Sequence, residues 1–127
     1  MGMITNQSVV ARGLATVDEV HKIHLIIENH LNSNGIFFDL ILFCPHLEED
    51  NCECRKPKTG LMKEIENDLT VDFSKSFMVG DQSSDVQFGI NLGMKTAQII
   101  GMGKIDVRAN FVGNSLGEIA TWILEER

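Results

Sequence analysis

The chain lacks several features that would assign it to a membrane, a secretory route or a nucleic acid. Its 127 residues contain no apolar run of the length that spans a bilayer, about 20 residues. The opening residues, MGMITNQ, have neither the basic region nor the long apolar stretch of a signal peptide. A formal net charge of −7 disfavours nucleic acid and anionic membranes as partners, because both require a basic face. A small anionic ligand stays compatible with this charge if cations gather at one pocket.

Cysteine is also scarce, but its three copies are concentrated in one segment. Cys44, Cys52 and Cys54 lie with His46 in the pattern C-x-H-x5-C-x-C. Three thiolates and one imidazole are the ligand set of a closed tetrahedral zinc site. A disulfide is the weaker interpretation, because the count is odd and a C-x-C pair is too close for a relaxed bridge. We therefore predict a structural zinc ion, and this metal-type use of cysteine favours a cytoplasmic protein.

A basic run follows the cysteines directly. Arg55, Lys56 and Lys58 stand together in an otherwise acidic chain. They could offset the negative charge that three thiolates leave on a zinc site, or they could form a pocket for a phosphorylated ligand. Pro57 holds the residue before it extended, which is consistent with a lysine aimed at one point. Both interpretations stay open on these residues alone.

Strand-like and helix-like segments alternate along the chain. The predicted strands are residues 1–5, 37–43, 76–80, 95–100 and the short 111–112. The predicted helices are the segment from Thr16 to before Gly35, the segment Gly60 to Leu69, about ten residues ending near Gly93, and a last helix that begins at Ser115. This alternation predicts a single α/β domain with a parallel sheet.

The first predicted helix has clear signals at its start and along one face. Thr16 and Glu19 have the spacing of a capping box, which Ser115 and Glu118 repeat in the last helix. The apolar residues at helical spacing are Val20, Ile23, Ile27 and Leu31. We expect this stripe to face the sheet. The histidines of the same helix, His21, His24 and His30, are expected to be structural or solvated.

Polar residues follow two of the predicted strands. In an open parallel sheet, ligands bind beyond the carboxyl ends of the strands. Residues 5–8 (TNQS) follow the first strand with hydroxyl, amide and turn N–H groups that suit phosphate oxygens. Asp81 and Asp85 follow the third strand with carboxylates that suit Mg2+. A common turn and an ordinary helix N-terminus are the favoured interpretations of these two segments taken singly, so neither decides a function by itself.

Taken in order, the segments TNQSVVARG, CPH…CxCRKPK and MVGDQSSDVQFGINLGM resemble the haloacid dehalogenase (HAD) superfamily of phosphatases. The likeness extends from residue 1 to about residue 124. It is greatest to the D-glycero-D-manno-heptose 1,7-bisphosphate phosphatases, and the histidinol-phosphate phosphatases are similar too. The resemblance implies a three-layer, Rossmann-like (HAD-like) parallel sheet with helices on both faces and a loop that binds structural zinc. It also implies a Mg2+-dependent hydrolase that removes the 7-phosphate of the heptose bisphosphate in nucleotide-heptose synthesis. Histidinol phosphate is the alternative substrate.

The resemblance also implies a role for each candidate residue. Thr5 and Lys56 would stabilise the transferring phosphoryl group. Asp81 would bind Mg2+ with Asp85 as a supporting carboxylate. The other implied roles are substrate contacts at Asn6, Gln7, Ser8, Arg55 and Gln82, and zinc ligands at Cys44, His46, Cys52 and Cys54. Gln82 stands where this group usually has lysine or arginine, which bears on substrate affinity or identity.

The nucleophile that the resemblance implies is missing from these residues. It belongs to a DxDGT-like segment upstream of Thr5, and no two aspartates of this chain have D-x-D spacing. We therefore expect an N-terminally truncated chain that lacks its first central strand and is inactive by itself. Without this strand, the flanking strands could pair directly, a second chain could supply a strand, or the protein could be poorly stable, and we expect a homo-oligomer. A non-catalytic remnant that binds phosphate or a partner is the alternative function.

Overall fold

The computed structural model describes residues 1–65 and 69–127, which divide into two compact units. Unit 1 is Met1–Arg55 and unit 2 is Lys56–Arg127. Each unit contains a sheet, one of two strands and one of three, and all the pairings are parallel as predicted. The organisation as one domain stays a prediction. Within the two described ranges, no helix combines the length and the apolar content that a membrane crossing requires.

Unit 1 consists of two parallel strands and the helix that joins them. Strand β1 (Gly2–Asn6) pairs with β2 (Leu40–Cys44), and helix α1 (Val17–Asn32) makes the crossover. The prediction that β2 begins at residue 37 is wrong, because its register with β1 starts only where Leu40 lies opposite Gly2. Phe37 precedes the ladder and is 64% exposed.

Helix α1 begins as its sequence predicts. The Thr16 hydroxyl accepts a hydrogen bond from the backbone N–H of Glu19 at 3.2 Å. In return, the Glu19 carboxylate accepts one from the Thr16 N–H at 2.7 Å. The two bonds form the complete capping box and satisfy two of the N–H groups that a helix start leaves without partners.

The buried face of α1 differs from the predicted stripe. Val20 and His24 are buried, whereas Ile23 and Ile27 are 54% and 36% exposed, so the prediction is wrong at those two isoleucines. His24 packs edge-on against Phe43 of β2, with ring centroids 5.5 Å apart. Burial lowers the pKa of His24, which favours the neutral imidazole. The histidine is therefore structural, as expected.

Unit 2 contains a sheet of three strands in the order β3-β4-β5. The strands are β3 (Phe77–Gly80), β4 (Lys95–Ile99) and β5 (Phe111–Gly113). The helices are α2 (Gly60–Lys63), α3 (Ser83–Asn91) and α4 (Leu116–Glu126). Of the predicted helix Gly60 to Leu69, the structure forms α2, and residues 66–68 lie outside the described residues.

Helices α3 and α4 cover opposite faces of the unit 2 sheet. Gly89 of α3 lies directly over the Met78 side chain, which leaves no room for a Cβ atom. Trp122 of α4 stacks on Phe111 at 5.2 Å and meets Phe77 edge-on at 5.5 Å. Neighbouring residues of a strand point to opposite faces, so Phe77 and Met78 contact different layers. Unit 2 therefore has the predicted helix-sheet-helix arrangement.

Candidate functional site

The four predicted zinc ligands converge in unit 1. The Sγ atoms of Cys44, Cys52 and Cys54 and a ring nitrogen of His46 all lie within 4.8 Å of one another. The adjacent pairs are 3.1 to 3.6 Å apart. Zinc–sulfur bonds of about 2.3 Å place tetrahedral ligand atoms about 3.8 Å apart, so these residues fit a Zn2+ ion after a small expansion. The sulfur separations exceed a disulfide bond of about 2.0 Å, and the three cysteines are free thiols.

The loop that carries these ligands is shaped by local hydrogen bonds. Cys44 is the last residue of β2 and is fully buried, so the sheet fixes the first ligand. Asp50 accepts a hydrogen bond from a backbone N–H of the loop at 2.8 Å. Asn51 then reverses the chain with a left-handed backbone conformation, φ 48°. Arg55 closes the loop by donating to the His46 carbonyl oxygen at 3.2 Å.

The thiols of this cluster differ in acidity. Burial raises the pKa of Cys44, and burial together with the neighbouring thiols raises the pKa of Cys54 to about 12. At Cys52 the effect of burial is outweighed by hydrogen bonds from Cys44 and the Arg55 backbone, and the pKa falls to about 7. Because a metal binds the thiolate form, occupation of this site would release protons.

The TNQS segment lies beside the metal loop, at the carboxyl ends of β1 and β2. Asn6 is paired with Cys44 in the sheet register. The backbone N–H of Gln7 extends the ladder by donating to the Cys44 carbonyl oxygen at 2.7 Å. The Gln7 side chain donates to the Thr5 hydroxyl at 3.2 Å, and the carbonyl of Ser8 accepts a bond in the turn that follows. Unit 1 thus orders the four residues that the resemblance assigns to phosphate and substrate.

A buried ion pair joins two candidate residues in unit 2. The ammonium of Lys56 lies 2.6 Å from Oδ1 of Asp85, and their side chains are only 10% and 7% exposed. The other oxygen, Oδ2, accepts the backbone N–H of Gln82 at 3.0 Å. Both oxygens of Asp85 therefore have partners inside the protein. This geometry suits the supporting role better than direct ligation of a metal.

Gly80 makes this ion pair sterically feasible. A Cβ atom at Gly80 would lie 2.2 Å from Oδ2 of Asp85, far inside any contact distance. Only glycine lets the carboxylate fold back over the end of β3. Sequence reasoning named the two aspartates and missed this role, although a glycine directly before Asp81 was the available signal.

Asp81 lies at the carboxyl end of β3, in what we call the Asp81 turn (residues 80–83), and its side chain is exposed. Its Oδ2 accepts a hydrogen bond from the Gln82 side chain at 3.1 Å. Mg2+ takes oxygen ligands and usually keeps several waters, so a single accessible carboxylate at a strand end fits this ion. The structure thus brings Lys56, Asp81, Gln82 and Asp85 together in unit 2.

Residues that the sequence pattern did not reveal support the Asp81 turn. Gln98 of β4 is 1% exposed, and its side chain donates to the Asp81 carbonyl at 3.1 Å and to the Lys104 carbonyl at 2.9 Å. Its oxygen accepts the backbone N–H of Asp106 at 2.6 Å. The carboxylate of Asp106 accepts a hydrogen bond from the Ser83 hydroxyl at 2.6 Å. A glutamine inside the mostly apolar run KTAQII was the only sequence signal.

We expect Asp106→Asn to destabilise the protein at neutral pH and the difference from wild type to shrink in acid. The Arg108 guanidinium and then the Ser83 hydroxyl hold the pKa of Asp106 well below its usual value of about 4. A carboxyl with a lowered folded pKa contributes stability above its unfolded pKa and loses it as the pH falls through the folded pKa. Urea unfolding of both proteins between about pH 7 and pH 2 measures this difference. A difference that is independent of pH would show that the carboxylate charge has no role.

Comparisons with known proteins agree with this architecture. Residues 53–116 match the HAD-hydrolase-like family. The D-glycero-beta-D-manno-heptose-1,7-bisphosphate 7-phosphatase of Yersinia pestis is 32% identical over 92% of this chain and 69% of its own length. The histidine biosynthesis bifunctional protein HisB of Blochmanniella floridana is 40% identical over 73% of this chain. This chain spans only 26% of that HisB protein.

A solved structure shares the fold over nearly the whole chain. It is the D,D-heptose 1,7-bisphosphate phosphatase from B. bronchiseptica, complexed with magnesium and phosphate. The two structures have a TM-score of 0.84 and 29% sequence identity, over 99% of this chain and 74% of that one. The α/β fold predicted from the resemblance is therefore confirmed. The chain belongs to the HAD-like hydrolase family, in the group that includes the heptose-bisphosphate 7-phosphatases and the HisB proteins.

Proposed function

We propose that this chain carries the larger part of a Mg2+-dependent phosphomonoesterase that acts on D-glycero-D-manno-heptose 1,7-bisphosphate. The observation that carries the proposal is the buried Lys56–Asp85 pair beside the Asp81 turn. The Asp85 carboxylate binds both the Lys56 ammonium and the N–H of Gln82, the residue after the exposed Asp81. This group lies at the carboxyl end of a parallel strand, where such sheets bind ligands. The heptose-bisphosphate phosphatases similar to this chain support the choice of substrate.

Phosphoryl transfer depends on positioning and on stabilisation of negative charge more than on covalent chemistry. Lys56, oriented by Asp85, would hold its ammonium against a phosphoryl oxygen. The resemblance gives the Thr5 hydroxyl a role in stabilising the transferring phosphoryl group. Mg2+, bound through Asp81, would neutralise further charge on the phosphate. Asn6, Gln7, Ser8, Arg55 and Gln82 would contact the rest of the substrate.

The covalent route of this family needs an aspartate nucleophile, and the 127 residues contain no D-x-D pair. We therefore place the nucleophilic aspartate in a segment outside these 127 residues. The 127-residue chain alone would bind phosphate without turning it over. Its cysteine site would hold structural zinc, and its free thiols suit a reducing compartment such as the cytoplasm.

Histidinol phosphate is the second candidate substrate. The observation that favours it is the 40% identity to HisB over 73% of this chain. The heptose compound ranks first because the match to its phosphatase covers 92% of this chain, against 73% for HisB. A direct comparison of the two substrates decides between them.

The test is phosphate release with Mg2+ from heptose 1,7-bisphosphate and from histidinol phosphate. It uses the 127-residue chain, the same chain extended by the coding sequence upstream of its start, and the extended chain with Asp81→Asn. We expect the extended chain to release phosphate, and to do so faster from the heptose substrate. The 127-residue chain and the extended chain with Asp81→Asn should release none. If the extended chain and its Asp81→Asn variant release phosphate at the same rate, the assigned site is refuted. An extended chain with DxDGT that releases no phosphate from either compound would refute the function and favour a non-catalytic remnant.

A further inference from the structure

We infer that Gln98 and Asp106 are positioning residues that hold the Asp81 turn in the shape that binds a divalent cation. The inference rests on the proposed function, because it concerns the same turn. It adds two residues to which the resemblance gives no role. Both lie on the carboxyl side of β4, the strand that pairs with β3.

Gln98 is the first part of this support. An amide buried in a sheet is unfavourable unless its polar atoms have partners. The Gln98 side chain directs its three hydrogen bonds outside the sheet, to the Asp81 carbonyl, the Lys104 carbonyl and the Asp106 N–H. One of these bonds reaches the backbone of the candidate metal ligand itself. The side chain therefore fixes where β3 ends and how the turn leaves it.

Asp106 holds the other end of the same turn. Its carboxylate accepts the Ser83 hydroxyl at 2.6 Å, and Ser83 is the first residue of α3. Arg108 in turn orients the carboxylate with two side-chain bonds, at 2.9 and 2.6 Å. Because the Asp106 N–H also donates to Gln98, the two positioning residues form one connected unit. The turn is thus held at its start by Gln98 and at its end by Asp106.

The backbone of the segment after β4 also contacts the turn. A Cβ atom at Gly103 would lie 2.6 Å from the Asp81 carbonyl oxygen and 3.0 Å from Oε1 of Gln82. The close packing of Gly103 leaves the turn little room to move toward the segment after β4. Partners that orient a metal ligand typically account for about 10- to 100-fold in metal affinity. We therefore expect the support to matter for cation binding beyond its effect on stability.

The test uses Mn2+ as a paramagnetic probe of the 127-residue chain. Broadening of the amide NMR signals of residues 80–83 during a Mn2+ titration gives a site-specific affinity. We compare wild type with Gln98→Met, Ser83→Ala and Asp81→Asn. Thr96→Val is the matched control, because Thr96 is also fully buried on β4 and hydrogen-bonds to Asn110 instead of the turn.

We expect Gln98→Met to weaken Mn2+ binding by about tenfold or more, and Ser83→Ala to weaken it by a smaller factor. Thr96→Val should keep the wild-type affinity even where thermal unfolding shows lower stability. Wild-type affinity in both Gln98→Met and Ser83→Ala would overturn the inference while leaving the metal site intact. Broadening that survives in Asp81→Asn would instead refute the proposed metal site. If Gln98→Met does not fold, Ser83→Ala decides the outcome.

Discussion

Removal of the metal from the loop between Cys44 and Cys54 is expected to abolish the ordered structure of that loop and to lower the melting temperature sharply. In small zinc domains, metal binding contributes about 10 to 16 kcal/mol at neutral pH, and a structural site of three thiolates and one imidazole belongs to that class. The ligand atoms already lie within 4.8 Å of one another, so the ion requires little rearrangement. Elemental analysis should give one zinc per chain, and thermal unfolding with and without a chelator measures its contribution.

A matched pair of histidine variants separates this effect from general destabilisation. His46→Ala removes one ligand and should lower both the zinc content and the melting temperature. His30→Ala changes an exposed histidine in the last turn of α1 and should alter neither. If elemental analysis finds iron instead of zinc, the prediction of the metal's identity is wrong and the structural role is unaffected. A chain that is purified without bound metal and unfolds identically with a chelator would contradict the structural role.

Asp85→Ala is expected to lower the free energy of unfolding by about 3 to 5 kcal/mol, because it removes the buried carboxylate that pairs with the Lys56 ammonium at 2.6 Å. The variant also removes the acceptor for the Gln82 N–H at the start of α3. Replacement of both partners, as in Lys56→Met with Asp85→Leu, should cost less than Asp85→Ala alone. Urea unfolding of the three proteins measures both differences.

An exposed ion pair in the same unit provides the control. Lys75 and Asp72 lie 3.6 Å apart with side chains 84% and 53% exposed. Lys75→Met should change the free energy of unfolding by less than about 1 kcal/mol, since exposed pairs are screened by solvent. Equal effects of Asp85→Ala and Lys75→Met would show that burial of the Lys56–Asp85 pair has no energetic consequence.

The parts of the fold that depend on local chemistry were predictable from the sequence. The Thr16 capping box is an example, because its two partners are three residues apart and need no other element. The convergence of the three cysteines and His46 was predictable for a related reason, since four donors within eleven residues can meet in one loop. Strands β3 and β4 were recognisable as short apolar runs of the kind that parallel sheets bury.

The features that depend on tertiary contacts were not predictable. The apolar stripe of α1 suggested Ile23 and Ile27 as core residues, but β2 presents the ring of Phe43, and His24 packs on it instead. The hydrogen bonds of Gln98 join residues as far apart in sequence as 81 and 106, so no local pattern shows them. The homo-oligomer and the single domain stay predictions.

The most direct test of the account is the binding of inorganic phosphate to the 127-residue chain, followed by 31P NMR line broadening with and without Mg2+. It needs no nucleophile, so it examines only groups that this chain contains. We expect Mg2+ to strengthen phosphate binding and Asp81→Asn to remove the effect, because Asp81 would hold the cation whose charge stabilises the bound phosphate. Phosphate binding that is the same with and without Mg2+, or that Asp81→Asn leaves unchanged, would contradict the assignment of a phosphoryl site to the Asp81 turn.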